Sequence, residues 1–192
     1  MTAYGWLLDY KRCIECRACE SACKQWNGVD TGINVRFRRV QRTESGRFPS
    51  VRTLALSLAC NHCEDPWCIK VCPTKAMWRR DDGIVLVDQD KCIGCRLCEE
   101  FCPYQAPQYN AQRQKIEKCT MCADRIDEGL EPACATLCPT GALQWGKWEE
   151  IAGKGDSEPA GEARGFVARA TRPRIRFVNQ GWNGQQQGGG SR

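Results

Sequence analysis

Histidine and long apolar segments are nearly absent from this chain of 192 residues. His62 is the only histidine, so the sequence offers little for the imidazole acid–base and triad chemistry that many enzymes use. No apolar run approaches the roughly 18 residues of a membrane-spanning helix, and the longest lies around residues 53–59. No phosphate-binding or dinucleotide-binding glycine motif follows a predicted strand. We therefore expect neither a substrate site nor a membrane span in this chain.

The first residues, MTAYGWLLDYKRC, have neither the apolar region nor the cleavage site of a secretory signal. We expect no signal peptide. Disulfide frameworks are typical of small secreted domains, so this expectation disfavours disulfides as the explanation for the cysteine content.

Cysteine is abundant, and its sixteen residues fall into four runs of four. The first and third runs have the spacing C-x2-C-x2-C-x3-C, the second has a middle gap of four residues, and the fourth has a middle gap of eleven. A proline follows the last cysteine of every run except the first. The runs are Cys13, Cys16, Cys19 and Cys23; Cys60, Cys63, Cys68 and Cys72; Cys92, Cys95, Cys98 and Cys102; and Cys119, Cys122, Cys134 and Cys138.

Bacterial ferredoxins use this type of run to hold [4Fe–4S] clusters. Three closely spaced cysteines curl one loop around a cluster, and the fourth thiolate must come from elsewhere. In two-cluster ferredoxins the last cysteine of each run ligates the cluster of the other run, and the proline after it suits a chain that turns away from the site. Four runs therefore predict four clusters arranged as two crossed pairs, with all sixteen cysteines as iron ligands.

Zinc is the main alternative metal, because paired C-x2-C motifs with a long gap between them also occur in zinc ribbons. The fourth run alone is open to that interpretation, whereas the tight triplets crowd three ligands onto one loop and favour iron–sulfur clusters. Bound clusters also change the formal net charge of +5. Each contributes about −2 with its thiolates, so four turn the total to about −3. We therefore expect no nucleic-acid partner.

Between the runs, the pattern predicts short strands. Residues 34–42 and 51–58 show partial period-two alternation around a turn region and predict a β-hairpin. Residues 76–79 and 84–87 flank the turn sequence Asp-Asp-Gly and predict a second hairpin. Further strands are predicted within 141–148 and in RPRIRFV, separated by a linker at 152–165, and the low-complexity end GWNGQQQGGGSR predicts disorder in isolation. Because apolar runs are short, we expect each half to lack an ordinary hydrophobic core and the metal-free chain to be poorly folded.

Four segments, RCIECRACESACK, CNHCEDPWCIKVCPTKAM, KCIGCRLCEEFCPY and KCTMCADRIDEGLEPACATLCPTGAL, carry a family resemblance. Over about residues 8–146 the chain resembles the four-cluster iron–sulfur electron-transfer subunits of the DMSO reductase superfamily of molybdenum or tungsten oxidoreductases. These include the small subunits of polysulfide, thiosulfate and dimethyl sulfoxide reductases and of some formate enzymes. Lys24 departs from the pattern, standing where a proline would follow Cys23. Cys95 stands where a variant of the family has tryptophan and a [3Fe–4S] cluster, so four [4Fe–4S] clusters are expected.

The resemblance implies an α+β fold of two ferredoxin-like domains related by pseudo-two-fold symmetry, with an inserted β-hairpin and an irregular C-terminal tail. Residues 1–33 and 111–150 would form one domain, 56–110 the other, 34–55 the hairpin, and 151–192 a partner-binding extension. The implied ligand sets are Cys13, Cys16, Cys19 and Cys138 for cluster 1; Cys23, Cys119, Cys122 and Cys134 for cluster 2; Cys60, Cys63, Cys68 and Cys102 for cluster 3; and Cys72, Cys92, Cys95 and Cys98 for cluster 4.

The resemblance also implies partners. Cluster 1 would face a large molybdenum or tungsten bis-pterin catalytic subunit, and cluster 4 would lie at the far end, near a membrane quinone-reactive subunit or another carrier. The chain would relay single electrons in anaerobic respiration without being an enzyme itself. A prokaryotic protein of this kind would be membrane-associated through its partners, either periplasmic by co-export or cytoplasmic. The alternative function is a free-standing polyferredoxin that shuttles electrons among several partners.

Two weaker features accompany the cysteines. His62 lies within the second run, and a loop or surface histidine hydrogen-bonded to the backbone is favoured over a redox role. A basic residue precedes the first cysteine of three runs, at Arg12, Lys91 and Lys118. Such a charge would favour the reduced cluster, but a solvated basic surface explains it equally well.

Overall fold

The structure, a computed structural model, describes residues 2–32, 34–154, 166 and 170–179. These residues form six short helices and nine strands. They are β1 (Tyr4–Asp9), α1 (Ala18–Asn27), β2 (Arg39–Ser45), β3 (Arg52–Leu58), α2 (Trp67–Lys70), β4 (Met77–Arg79), β5 (Val85–Val87), α3 (Leu97–Glu100), β6 (Gln108–Asn110), β7 (Lys115–Glu117), α4 (Ala123–Asp127), α5 (Ala133–Thr136), β8 (Leu143–Lys147), α6 (Trp148–Ala152) and β9 (Ile175–Val178). The expected mixture of helices and small sheets is confirmed for this part of the chain.

A three-stranded sheet in the order β8-β1-β9 joins the two ends of the described chain. β8 pairs antiparallel with β1, with Leu8 opposite Leu143, and β9 pairs parallel with β1, with Trp6 opposite Ile175. The predicted strands within 141–148 and in RPRIRFV are confirmed as β8 and β9. β1 had no prediction, and its pairing brings the region of the first cysteine run beside the region of the fourth.

An ordinary apolar core covers this sheet, so the expectation that neither half has one is wrong for the first half. Trp6, Leu8, Tyr10 and Phe177 are each at most 1% exposed, and the same core includes buried residues of β3 such as Leu54. The core escaped prediction because its side chains come from short strands far apart in the sequence. Around the second and third runs the expectation fits better, since that cluster of buried residues is small and includes Cys68, Cys92 and Cys98.

Both predicted hairpins are present. β2 and β3 pair antiparallel from Arg39–Leu58 to Ser45–Arg52, although the first strand begins later than the pattern indicated. β4 and β5 pair through the Asp-Asp-Gly turn, where Gly83 has φ 79°. A third hairpin, β6–β7, follows the third run.

The described part of the C-terminal segment packs within the chain. Beyond the pairing of β9 with β1, the backbone N–H of Arg174 donates to the carbonyl of Asn61 (3.1 Å), and its Nη1 donates to the carbonyl of His62 (3.1 Å). Phe166 stacks on Tyr104 with ring centroids 5.2 Å apart. Most of the predicted linker and the low-complexity end lie outside the described residues. In the part that is described, no helix has both the length and the apolar character to cross a membrane.

Candidate metal centres

The first C-x-x-C loop of each of the four runs has the same backbone feature, a left-handed residue at the second variable position. The residues are Glu15 (φ 58°), His62 (φ 42°), Gly94 (φ 67°) and Met121 (φ 58°). Left-handed residues next to right-handed ones aim successive backbone N–H groups into one concavity, a geometry that binds anions and occurs at many iron–sulfur sites. The loops are therefore shaped to receive an anionic group between their cysteines.

The three runs that end in Cys-Pro continue into a common turn of the form C-P-x-x-A. The third residue after the cysteine is left-handed and the fourth is a buried alanine. The left-handed residues are Lys75 (φ 55°), Gln105 (φ 50°) and Gly141 (φ 61°), and the alanines are Ala76, Ala106 and Ala142.

This turn directs hydrogen-bond donors at the terminal sulfur. The N–H of Leu143 lies 3.4 Å from Cys138 Sγ. Burial raises the pKa of Cys138, but hydrogen bonds from the Leu143 N–H and the Thr140 hydroxyl outweigh it and lower the pKa below the ordinary value. At Cys72, burial is outweighed in the same way by the Met77 N–H and the Thr74 hydroxyl, so its pKa is also lowered. Such donors stabilise a thiolate, which is the form that binds metal.

Cys23 also has hydrogen-bond donors near its sulfur, although no proline follows it. Because Lys24 follows it, the chain continues as α1 instead of turning. Asn27, one turn later, places its Nδ2 3.8 Å from Cys23 Sγ and 3.9 Å from Cys122 Sγ. The backbone N–H of Arg38 also donates to Cys23. The departure at Lys24 thus replaces a turn by a helix while keeping donors near the sulfur.

The fold brings cysteines of different runs together, and Cys13, Cys16, Cys19 and Cys138 line one small cavity. Burial contributes most to the raised pKa of Cys13, and the charges of Cys19, Cys138 and Cys16 raise it further. Burial and the charges of Cys72, Cys92 and Cys95 raise the pKa of Cys98 to about 12. In each group the last cysteine of one run lies beside the first three of another.

The other two groups follow the same rule. Burial raises the pKa of Cys68 to about 12, with the charges of Cys60, Cys102 and Cys63 adding to it. Burial raises the pKa of Cys23 to about 12, with contributions from Cys134 and Cys122. Cys119, whose pKa burial raises well above its usual range, also senses Cys23 and Cys134. These four groups are called group 1 (Cys13, Cys16, Cys19, Cys138), group 2 (Cys23, Cys119, Cys122, Cys134), group 3 (Cys60, Cys63, Cys68, Cys102) and group 4 (Cys72, Cys92, Cys95, Cys98).

Successive groups adjoin one another in series. After burial, the charge of Cys134 in group 2 contributes to the raised pKa of Cys19 in group 1, and that of Cys60 in group 3 contributes to the raised pKa of Cys119 in group 2. Helices α2 and α3, which carry Cys68 and Cys98, pack together and place groups 3 and 4 side by side. Only Cys16, in group 1, and Cys95, in group 4, are exposed among the sixteen cysteines. The order is therefore 1-2-3-4, with solvent access at both ends.

The donor chemistry of each group suits a polynuclear cluster. Four thiols surround each site, and among the described residues no three His, Cys, Asp or Glu side chains are placed to share one metal ion. A cluster with one thiolate on each of four irons accommodates this wider spacing. The loop N–H groups described above suit the negative charge that such a cluster carries with its thiolates.

The structure separates the weaker candidates. His62 is 1% exposed rather than at the surface, and its Nδ1 accepts a hydrogen bond from the N–H of Val85 (3.0 Å), so the predicted backbone bond is present. Lys118 is 3% exposed, whereas Lys91 is exposed and pairs with Asp88 at 2.8 Å. Arg12 is also exposed. The proposed solvated surface thus describes Lys91 and Arg12 but is wrong for Lys118.

Sequence reasoning missed one residue beside the cysteines, Arg38. It is 2% exposed, and its Nη1 donates to the carbonyl (3.1 Å) and hydroxyl (3.3 Å) of Ser57. The hydroxyl of Ser57 lies 3.3 Å from Cys19 Sγ. No pattern could have identified it, because Arg36, Arg38 and Arg39 look alike in a partly alternating segment.

Comparison with known families agrees with these geometries. The 4Fe-4S dicluster domain family matches residues 51–148, and a 4Fe-4S binding domain family matches residues 10–26. The chain therefore contains ferredoxin-like iron–sulfur domains, and iron–sulfur clusters are its cofactors.

Three curated relatives are similar over most of their length. The probable anaerobic dimethyl sulfoxide reductase chain YnfG of Escherichia coli (strain K12) is 46% identical, over 78% of this chain and 76% of the relative. A sulfite dehydrogenase subunit of Allochromatium vinosum is 40% identical, over 76% and 69%. Thiosulfate reductase electron transfer subunit PhsB of Salmonella typhi is 40% identical, over 77% of each. Together with the matched cysteine domains, these similarities show that the chain belongs to the iron–sulfur electron-transfer subunits of the DMSO reductase superfamily and is not a catalytic subunit.

Proposed function

We propose that the chain is a one-electron relay that holds four [4Fe–4S] clusters, one in each cysteine group. Groups 1 to 4 would be the ligand sets of clusters 1 to 4. The mutual effects on thiol pKa support this assignment, because each group contains the three neighbouring cysteines and the one distant cysteine that a crossed pair requires. Groups 1 and 2 would belong to one ferredoxin-like domain and groups 3 and 4 to the other, related by a pseudo-two-fold axis.

The exposure of Cys16 and Cys95 is the observation that carries the proposal of a relay. These two cysteines belong to the first and last groups of the series, so an electron could enter at one end and leave at the other. Exposed apolar side chains adjoin both ends. Ile14 (63% exposed) lies in the first loop, and Ile93 (65%) and Phe101 (50%) lie in the third run. Apolar patches of this kind mark protein interfaces.

The polypeptide sets how readily each cluster accepts an electron. A bound cluster takes up and gives back a single electron, and its potential depends on burial, hydrogen bonds to sulfur and solvent exposure. The C-P-x-x-A turns supply N–H donors to Cys72, Cys102 and Cys138. Asn27 and the N–H of Arg38 supply them to Cys23. The loops and turns thus orient the ligands and adjust their electronics, and no substrate site is needed.

The partners follow from the family. The end at group 1 would contact a large molybdenum or tungsten bis-pterin catalytic subunit, and the end at group 4 a membrane quinone-reactive subunit or another carrier. The complex would be membrane-associated through that partner, on the periplasmic or the cytoplasmic side. Residues 151–192 would contribute to partner binding. A free-standing polyferredoxin is the second candidate, but the relatives' names, which include chain, subunit and electron transfer subunit, favour a complex.

Anaerobic affinity purification from native cells tests the proposal. We expect about 16 iron atoms and 16 acid-labile sulfides per chain, as four clusters require, together with a stoichiometric large subunit that contains molybdenum or tungsten. A monodisperse iron-loaded chain without a partner, stable to salt and time, would favour the polyferredoxin. A folded chain that contains zinc and no iron would contradict both.

The two ends can be tested separately with matched substitutions. Ile14→Glu should impair electron exchange with the catalytic subunit, and Ile93→Glu should impair exchange with the quinone side, because each places a charge in an apolar contact. Leu130→Glu is the control, since Leu130 is also exposed (44%) but lies in the loop between α4 and α5. Equal effects of all three on both half-reactions would contradict the assignment of the ends.

A further inference from the structure

Arg38 is a fully buried cation with unsatisfied hydrogen-bond donors. Its guanidinium lies 4.3 Å from the centre of the Trp6 ring, and only Nη1 has a partner, in Ser57. Nε and Nη2 are buried without one. No carboxylate in the described part of the chain forms an ion pair with Arg38. A buried guanidinium remains charged and is costly without a counter-charge, so something else beside it must supply negative charge.

As thiolates, the form that binds metal, the cysteines of groups 1 and 2 supply that charge. Burial lowers the pKa of Arg38, but the charges of four cysteines more than offset this and raise it above the ordinary value; they are Cys134, Cys119, Cys19 and Cys23. One belongs to group 1 and three to group 2. Arg38 also reaches Cys19 through the shared hydroxyl of Ser57. Arg38 therefore occupies the gap between these two groups.

Lys118 occupies the next gap. Its Nζ donates to the carbonyl of Cys119 (2.9 Å), a group 2 residue, and to the carbonyl of Val85. The N–H of Val85 in turn donates to Nδ1 of His62 (3.0 Å), in the loop between Cys60 and Cys63, so Lys118 also adjoins group 3. As with Arg38, the described residues offer it no carboxylate ion pair.

Resting on the proposed clusters, we propose that Arg38 and Lys118 are fixed cations in the two gaps around cluster 2, where they raise the reduction potentials of the clusters they adjoin. Reduction adds one electron, and so one negative charge, to a cluster that already carries about −2 with its thiolates. Burial away from water disfavours that added charge. A buried cation stabilises it more than a surface cation would, because solvent screens it little.

The exposed basic residue Lys91 provides a contrast. It precedes Cys92 as Lys118 precedes Cys119, but it lies at the surface and pairs with Asp88. Its charge is therefore screened by water and offset by a carboxylate. Lys118 and Lys91 thus occupy the same position in their runs, and Lys91 serves as the matched control for Lys118.

Redox titration of the iron-loaded complex, followed by electron paramagnetic resonance, tests the proposal. The variants are Arg38→Met, Lys118→Met and, as control, Lys91→Met. Each signal is assigned with variants that lack one cluster. Arg38→Met should make clusters 1 and 2 harder to reduce, and Lys118→Met clusters 2 and 3. We expect at least a tenfold change in the reduction equilibrium, equivalent to about 59 mV for a one-electron couple. Cluster 4 should not change, and Lys91→Met should change none.

Charge-conserving variants separate electrostatics from packing. Arg38→Lys and Lys118→Arg keep the charge but alter the shape, so their potentials should stay close to those of the unmodified chain. If a methionine variant loses iron, its charge-conserving partner decides the question. Near-normal potentials in that partner support the proposal, and potentials lowered by about 59 mV or more, a tenfold change in the reduction equilibrium, overturn it. Full iron content with unchanged potentials in both methionine variants would also overturn it. A parent chain that lacks the four clusters would instead refute the relay.

Discussion

Crossed ligation predicts that two cysteines only four residues apart serve different clusters. Cys134 lies on α5 and Cys138 just beyond its end. Yet Cys138 is among the charges that raise the pKa of Cys13, after burial, while Cys134 contributes in the same way at Cys23. The fourth run would therefore supply ligands to both clusters of its domain. Ligation within each run would instead assign both cysteines to one cluster.

Iron counts of double variants distinguish these arrangements. Four clusters hold about 16 irons, so Cys138→Ala should leave about 12 if a cluster that lacks one thiolate is lost. Adding Cys16→Ala removes a second ligand of the same proposed cluster and should leave the count at about 12. Adding Cys122→Ala to Cys138→Ala instead affects two clusters and should leave about 8. Ligation within each run predicts about 8 irons for Cys138→Ala with Cys16→Ala and about 12 for Cys138→Ala with Cys122→Ala.

The assay is iron and acid-labile sulfide analysis of anaerobically purified complexes, normalised to protein. Cys95→Ala combined with Cys138→Ala is the control, because these residues belong to different clusters in either arrangement and should leave about 8 irons. A count of about 8 for Cys138→Ala with Cys16→Ala, and about 12 for Cys138→Ala with Cys122→Ala, would refute the crossed assignment.

Three further predictions concern the fold and its loading. Gly94→Ala should remove cluster 4, which is about 4 of 16 irons. Gly94 has φ 67°, and an added Cβ would clash with the carbonyl oxygen of Gln114. Gly153→Ala, where a Cβ meets nothing within 4 Å, is the matched control in the same iron assay. Phe177→Ala should destabilise the chain by about 3–5 kcal/mol, as expected for a buried aromatic; in a urea titration followed by cluster absorbance its midpoint should fall well below that of Phe48→Ala, since Phe48 is 93% exposed. The yield of cluster reconstitution should rise from about pH 6.5 to about pH 8.5, because metal binding displaces thiol protons. Burial raises several thiol pKa values to about 12, so a higher pH lowers the free-energy cost of deprotonating them. Equal yields at both pH values would contradict this. Those thiols are Cys23, Cys63, Cys68 and Cys98.

The features that the sequence could predict are local. Asp81-Asp82-Gly83 identifies a tight turn wherever it stands between apolar residues, and the hairpin β4–β5 follows from it. The cysteine spacings likewise indicate curled loops, and the first loop of each of the four runs has a left-handed residue at the same position. Only Gly94 signals the left-handed residue that the loops share. Glu15 and Met121 adopt it without a glycine, because the geometry of the loop overrides their own preference.

The features that escaped prediction depend on distant contacts. β1 has a mostly buried sequence, YGWLLD, with no alternation to mark a strand, and its partners β8 and β9 lie more than 130 residues away. Arg38 belongs to a segment whose alternation would place it on the same side as Arg36, yet Arg38 is buried and Arg36 is exposed. Its burial becomes favourable only when Trp6 and the cysteines of two groups surround it.

The apolar core of the first half meets the proposed electron path at Trp6. Its ring packs under Arg38, and its Nε1 donates to the carbonyl of Cys60 (3.1 Å) in group 3. Trp6 thus connects Arg38, which lies between groups 1 and 2, to the Cys60 loop of group 3. Because β1 holds Trp6 between β8 and β9, the sheet helps to fix the surroundings of group 2. The proposed tuning of the inner clusters would therefore depend on an ordinary core, whereas the proposed cluster 4, beside solvent-exposed Cys95, would not.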